Sequence, residues 1–330
     1  MRLGCTTSCC SAVERQSALH ANTGHANTCQ AMSTTAAPAP RHAAGIAYML
    51  AGAFCLACSD ALAKWLGAHY PPMQLLLLRA ALAAPALLAL VALTLGPAAL
   101  RTANLGIHTL RGLINVICAI CFYWSMTLLP LAHTTALTFC APLFIALISA
   151  LVLKERLGLG AWLAIGAGFC GVVLIAASHG ASAAQASHQP LWAMALPVLT
   201  ALGYAIMMLS ARRIRPGEHM LTTMTYIVLG QLVFAAPAAL LGGFWVPLSP
   251  AHAPQLAALA LCATLGLGFI TQAFRLAPAA VVVPFDYSLL LWSTLLGWLI
   301  WREQPAWGFY LGAALIVAAG LYTALRHARR

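Results

Sequence analysis

From Gly45 onward the chain alternates between long apolar runs and short polar connections. Ten runs are read, at 45–67, 72–95, 105–128, 131–153, 158–177, 190–211, 221–242, 254–274, 279–301 and 306–325. Each approaches the roughly 20 residues a helix needs to cross ~30 Å of hydrocarbon. Backbone polar groups in lipid must be satisfied internally, which a helix achieves by itself. The runs are continuously apolar and lack the in–out alternation of barrel strands. The pattern predicts an all-α integral membrane protein with ten transmembrane helices.

The runs also repeat. An offset of 148 residues places Leu128 on Leu276, Pro130 on Pro278, Ala132 on Ala280, Leu147 on Leu295, Leu151 on Leu299 and Glu155 on Glu303, and sets Lys154 against Arg302. A second echo at an offset of 152 sets MQLLLLRAALAAP (73–85) against TYIVLGQLVFAAP (225–237). Internal repetition of this kind dictates the architecture. The expected units are 44–178 (spans 1–5) and 190–326 (spans 6–10). Five spans is an odd number, so the second unit enters the membrane from the opposite side. Two inverted five-helix repeats are an alternating-access plan, with the binding site near the midplane between halves.

Composition narrows this further. Of 330 residues 62% are hydrophobic and 7% charged, against about 25% charged in soluble domains. The net charge of +11 would suit nucleic acid, but the basic residues sit singly or in small groups between apolar runs and form no patch with interleaved aromatics. No nucleic-acid partner is expected. Counting from an inside N-terminus, Arg41, Arg101, Arg111, Lys154, Arg156, Arg212, Arg213, Arg215, Arg275, Arg326, Arg329 and Arg330 fall on one side, and only Lys64 and Arg302 on the other. Positive residues favour the cytoplasm, so both termini are expected there, in a multi-pass protein of the inner (cytoplasmic) membrane. Residues 1–43 read as a disordered polar tail without a signal-peptide core, and Met32 is a candidate start. Cys55-x-x-Cys58 and Cys118-x-x-Cys121 lie inside apolar runs without a second pair or histidines at zinc spacing. They read as small packing residues, and neither metal nor cofactor is expected.

Ionisable groups inside a span cost roughly 2.5–3.5 kcal/mol on insertion scales and ask for a reason. Asp60 and Arg79 lie at similar depth on adjacent antiparallel spans, about 10 Å from the same boundary. They are candidates for an ion pair that either locks the hairpin or holds a charged substrate, with Lys64 a competing partner for Asp60 one turn on. Asp286 follows Pro284, and its repeat equivalent is the polar Thr138, one turn before Pro142. A proline frees a carbonyl and can break a helix beside a binding site. Asp286 is therefore a candidate coupling group for a proton or another ion, with pairing to Arg275 as the alternative. Tyr123, Trp124, Tyr204, Gln231, Gln272, Tyr287 and Trp292 complete the candidate cavity. Trp192, Trp245, Trp301 and Trp307 suit interface anchors. Lys154, Glu155, Arg302 and Glu303 read as structural charged turns, their carboxylates favouring helix N-termini. Gly308-x-x-x-Gly312 reads as close packing within the chain.

The doubled span–charged-turn–span unit with Glu155 and Glu303, the glycines that follow (Gly166, Gly168, Gly171; Gly312, Gly320) and Arg79 in the second span resemble the drug/metabolite transporter superfamily, in its ten-helix EamA-type branch. The resemblance covers about residues 44–326 and implies a secondary transporter of a small polar organic metabolite, with membrane lipid around it. SDALAKWLGAHYPPMQLLLLR (59–79) is similar to a bacterial subset that includes vitamin and S-adenosylmethionine carriers. A multidrug or toxic-compound exporter is the nearest alternative. From other classes, a non-transporting assembly protein or an intramembrane enzyme would fit the spans. The enzyme reading lacks a nucleophile–base set, an HExxH motif or an aspartate cluster. No phosphate-binding loop is present, so energy would come from a gradient or from exchange.

Overall fold

The computed structural model describes residues 42–152, 159–178, 191–210, 218–242 and 245–328. They form twelve helices: α1 (His42–Leu66), α2 (Pro72–Thr94), α3 (Leu105–Leu128), α4 (Leu131–Thr138), α5 (Ala141–Leu151), α6 (Leu159–Ser178), α7 (Ala195–Ser210), α8 (Met220–Leu241), α9 (Ala253–Leu276), α10 (Ala279–Asp286), α11 (Ser288–Trp301) and α12 (Trp307–Ala328). Among the described residues, nine stretches are long and apolar enough to cross a membrane, and Trp307–Thr323 adds a shorter tenth. Two single spans of the sequence reading are each two helices: α4 with α5, and α10 with α11. Pro142 lacks the N–H that would bond the Thr138 carbonyl, and the chain turns at Phe139 (ψ 0°) and Cys140 (ψ −4°). Tyr287 (ψ −10°) makes the equivalent break.

The repeat is visible in backbone geometry and in packing. Pro130 (φ −55°, ψ 144°) and Pro278 (φ −58°, ψ 146°) cap α4 and α10 in the same conformation. Helix α1 lies along α9, and its counterpart α7 lies along α3; α6 packs on α12, and α2 on α8. The two helix breaks meet, with the Phe139 and Tyr287 rings 4.9 Å apart. These two residues are repeat equivalents, so their contact marks the pseudo-twofold axis. Lipid offers no hydrophobic drive between helices, and close backbone approach over small residues supplies the packing instead. A Cβ on Gly171 or on Gly312 would collide with the other's carbonyl oxygen, so the Gly308-x-x-x-Gly312 spacing serves the α6–α12 contact. Gly112 and Gly230 let α3 and α8 cross backbone to backbone.

Polar side chains lace the two ends. At one end, Lys64 forms a buried ion pair with Glu303 and donates to the Leu129 carbonyl at 2.9 Å. The other Glu303 oxygen accepts from the Leu131 N–H at 2.9 Å, and the Lys64 ammonium lies 5.1 Å from the Trp301 ring centroid. Glu303 thus favours a helix N-terminus, but that of α4, because α12 begins only at Trp307. Arg302 makes the turn possible: it adopts φ +57°, closing α11 with its N–H on the Trp298 carbonyl at 3.0 Å. Gly297 leaves the room the Glu303 carboxylate fills. Lys154 and Glu155, the matching turn of the first repeat, lie outside the described residues. At the opposite end Glu218 accepts from Thr102 (3.1 Å) and Asn104 (2.7 Å) and meets His108 Nε2 at 2.5 Å. The His108 ring stacks on Tyr226, whose hydroxyl donates to the Leu100 carbonyl at 2.6 Å.

Two predictions follow from these ends. Removing either Lys64 or Glu303 strands the other charge away from water, costing about 3–5 kcal/mol, while removing both is far milder. Lys64→Met and Glu303→Gln should each lower the Tm of the detergent-purified protein, and the double variant should exceed both. Simple additivity of the two losses would mean the side chains stabilise separately. Burial works to raise the Glu218 carboxyl, but the hydrogen bonds from Asn104 and His108, the His108 charge and the Thr102 hydroxyl outweigh it and hold it below its ordinary 4.5. A depressed carboxylate stabilises the fold above the ordinary value, and that contribution is lost as pH falls through the lower folded value. Wild type should therefore be more heat-stable than Glu218→Gln at neutral pH, and the gap should close only below about pH 4.5. A gap that persists unchanged in strong acid would remove Glu218 ionisation as its source.

Candidate functional site

A cavity of about 500 Å³ lies between α2, α8 and α9. It runs from Thr94, His219 and Arg275 at the Glu218 end to Arg79, Gln231 and Gln272 within the helices. Its pseudo-symmetric counterpart, about 410 Å³ between the start of α2, α3 and the end of α8, is lined by Ile120, Trp124 and Ala239 and reaches neither Arg79 nor Gln231. The helix crossings differ too: Gly112 meets Gly230 where α3 crosses α8, and the equivalent positions on α9 and α2 are Ala260 and Leu78.

At the deep end, Arg79 donates to the Tyr123 hydroxyl at 2.8 Å, its guanidinium 5.9 Å from the ring centroid. Asp60 stands near enough for both charges to act on Tyr123. Among the described residues Asp60 and Arg79 form no direct ion pair; the two pairs present are Lys64–Glu303 and His108–Glu218. Arg79 takes the Tyr123 hydroxyl instead, and Lys64 pairs with Glu303 rather than with Asp60. Gln231, the repeat equivalent of Arg79, is 3% exposed. It donates to the Asn115 side-chain oxygen at 2.6 Å and leaves its own Oε1 unpartnered. An orphaned amide oxygen beside a cavity is an unused acceptor in a place where few are tolerated.

The remaining candidates spread along the bundle. Gln272, one turn before Arg275 on α9, lines the 500 Å³ cavity with it. Trp124, its repeat equivalent, lies in the smaller cleft and packs edge-on against Trp192 at 5.8 Å. Thr138 spends its hydroxyl on the Thr134 carbonyl at 2.8 Å. Asp286 makes no ion pair with Arg275 among the described residues, so that alternative is absent from this structure. Tyr287 packs on Phe139 at the axis. Tyr204, 44% exposed, stands within electrostatic reach of both Asp286 and Arg111. Trp292 packs edge-on against Phe54 of α1 at 5.1 Å, its indole nitrogen buried without a partner.

Sequence reasoning missed four residues. Arg111 was counted as a loop charge, yet it lies inside α3 and is 3% exposed. Asn115, the Gln231 partner, was legible as an amide in mid-span. His108 lies in the first turn of the third run and Glu218 just before the seventh, and only the folded chain brings them together.

The comparisons agree with this arrangement. The chain is 32% identical over 238 residues to a riboflavin transporter of Rhizobium johnstonii, covering 72% of this chain and 76% of that one. It is 24% identical over 278 residues to an S-adenosylmethionine uptake transporter of Rickettsia prowazekii, covering 84% and 91%. A crystal structure shares the fold at a TM-score of 0.57 with 24% identity, covering 86% of this chain and 97% of that one. Residues 43–177 and 191–325 each match the EamA domain. With both inverted halves matched, the chain belongs to the EamA-like transporter family.

Proposed function

We propose that the protein is a secondary transporter that carries a small polar organic metabolite across the cytoplasmic membrane by alternating access, with both termini in the cytoplasm. The observation that carries this reading is the unequal closure of two equivalent halves. A cavity reaches Arg79 and Gln231 from the Glu218 end, while the Lys64–Glu303 network ties together the connections of the opposite end. A cavity entering from one end, with a charge network joining the connections of the other, suits one state of an alternating-access cycle. The Lys/Arg-rich connections of the sequence lie at the open end, so this state faces the cytoplasm.

The cargo reading draws on the relatives. Riboflavin and S-adenosylmethionine each join a heteroaromatic ring to a polar chain, and Arg79, Gln231 and Gln272 on the cavity wall offer a cation and two amides for such a chain. Carriage rather than catalysis is the proposed role. Asp286 and Asp60 are carboxylates without an ion-pair partner among the described residues, and Asp286 beside the helix break is the proposed site of proton coupling.

Uptake of labelled riboflavin and S-adenosylmethionine into proteoliposomes tests the function, with a panel of competing metabolites defining the cargo. Saturable, competed flux is expected, and Arg79→Gln should reduce it about tenfold or more through loss of a charge-assisted contact. Asp286→Asn should abolish accumulation driven by an imposed pH gradient while leaving exchange intact. Normal gradient-driven accumulation in that variant would remove Asp286 from coupling. For orientation, a reporter active only in the cytoplasm should work after Arg330 or within 212–217, and one active only outside should work within 180–188. The reverse pattern would overturn the topology.

A further inference from the structure

Arg111 lies in the second turn of α3, and its side chain is buried. Among the described residues it makes no hydrogen bond and no ion pair, and its Nε and Nη1 are enclosed without a partner. Interiors rarely leave such a group unmatched, and inside a membrane an ionisable residue without a partner marks a functional position.

The neighbouring groups are engaged elsewhere. Glu218 is taken up by Thr102, Asn104 and His108. Asn115, one turn further along α3, accepts from Gln231 and donates weakly to the Met207 sulfur at 3.9 Å. Helix register sets what Arg111 faces. Thr200 of α7 donates to the Cys118 carbonyl at 3.1 Å, and Gly203 abuts Cys118 and Ile114. Arg111 lies three and seven residues before these, on the same stripe of α3. It therefore looks onto the second half of α7, which contributes the exposed Tyr204. A buried guanidinium with unpartnered donors, within electrostatic reach of that phenol, has the chemistry to receive an oxyanion.

We propose that Arg111 recognises an anionic group, a carboxylate or a phosphate, on the transported molecule. This rests on the transporter reading and adds a substrate class to it: a small organic anion, or a zwitterion whose negative end meets Arg111. Anionic lipid headgroups present the same chemistry, and the test separates the two sources.

Wild type, Arg111→Gln, Arg111→Lys and, as a control at the same end, the exposed Arg101→Gln are placed in phosphatidylcholine nanodiscs and again in nanodiscs containing phosphatidylglycerol. Binding is measured for molecules that differ by one anionic group: riboflavin and riboflavin 5′-phosphate, S-adenosylmethionine and its decarboxylated form, adenosine and its monophosphate. In at least one pair the anionic member should bind wild type about tenfold more tightly. Arg111→Gln should erase that preference, Arg111→Lys should restore part of it, and Arg101→Gln should keep it. Without ligand, Arg111→Gln should be at least as heat-stable as wild type, because it removes a buried charge that Glu218 offsets only at a distance, without a hydrogen bond or an ion pair. The proposal is overturned by the absence of any anion preference in wild type, by its survival in Arg111→Gln, or by loss of heat stability in the ligand-free variant. It is likewise overturned if Arg111→Gln matters only where phosphatidylglycerol is present, which would make the site a headgroup contact. Flux through wild-type proteoliposomes is read separately, so failure of transport and failure of anion recognition are distinct results.

Discussion

A lysine and a glutamate buried together tie the helix connections at one end of this bundle. Lys64 ends α1, Glu303 stands in the turn before α12, and between them they take up the Leu129 carbonyl and the Leu131 N–H at the turn into α4. Four separate polar demands in a water-poor place are met by one another. Such a network gains little over an apolar seal of equal volume, but it fixes geometry, because every partial arrangement leaves a charge or a backbone group unsatisfied. The strained Arg302 backbone and the space left by Gly297 are its local requirements. The offset of 148 sets Glu303 on Glu155, which lies outside the described residues.

Inversion makes two similar halves face opposite sides, so any difference between them becomes a difference between the two sides of a membrane. Where glycine meets glycine, at Gly112 and Gly230, the α3 and α8 backbones touch. The equivalent positions of the other crossing carry Ala260 and Leu78, and there the 500 Å³ cavity between α2, α8 and α9 extends to Arg79. Local chemistry is exchanged along with size: Arg79 in one half is Gln231 in the other, and each finds its own partner on α3, Tyr123 and Asn115. Helix α3 thereby carries the polar contacts of both halves, and Arg111 stands on it one turn before Asn115.

The fold was legible because its determinants are local. Span length, the 148-residue offset and the paired Pro130 and Pro278 depend on sequence neighbours and on the thickness of lipid. The helix breaks were half legible: Pro142 marks the one in the fourth span, while the matching break at Tyr287 comes three residues after Pro284. The site was legible only as a set of suspects. Asp60, Arg79 and Tyr123 do converge, but equal depth on adjacent helices could not reveal that Arg79 would bond a tyrosine of α3 rather than Asp60. Lys64 shows the same limit, since its near candidate was Asp60 one turn away and its true partner lies 239 residues on. Charge counting hid Arg111, because a basic residue close to a span boundary looks the same in sequence whether it meets headgroups or turns inward.

The buried cations of this protein separate by how completely they are matched. Lys64 has a carboxylate, a carbonyl and an indole face. Arg79 has a phenol and, at longer range, Asp60. Arg111 has no hydrogen-bond or ion-pair partner among the described residues. A fully matched charge resists rearrangement, since any movement exposes an unsatisfied group; an unmatched one gains by meeting a ligand. That ordering assigns different work to three side chains of similar chemistry: Lys64 ties the connections of one end, Arg79 shapes the floor of the cavity, and Arg111 is left with binding capacity to offer. It also explains why a buried charge that weakens the fold can persist in a transporter, because the stability given up in the empty state is recovered when an anion arrives.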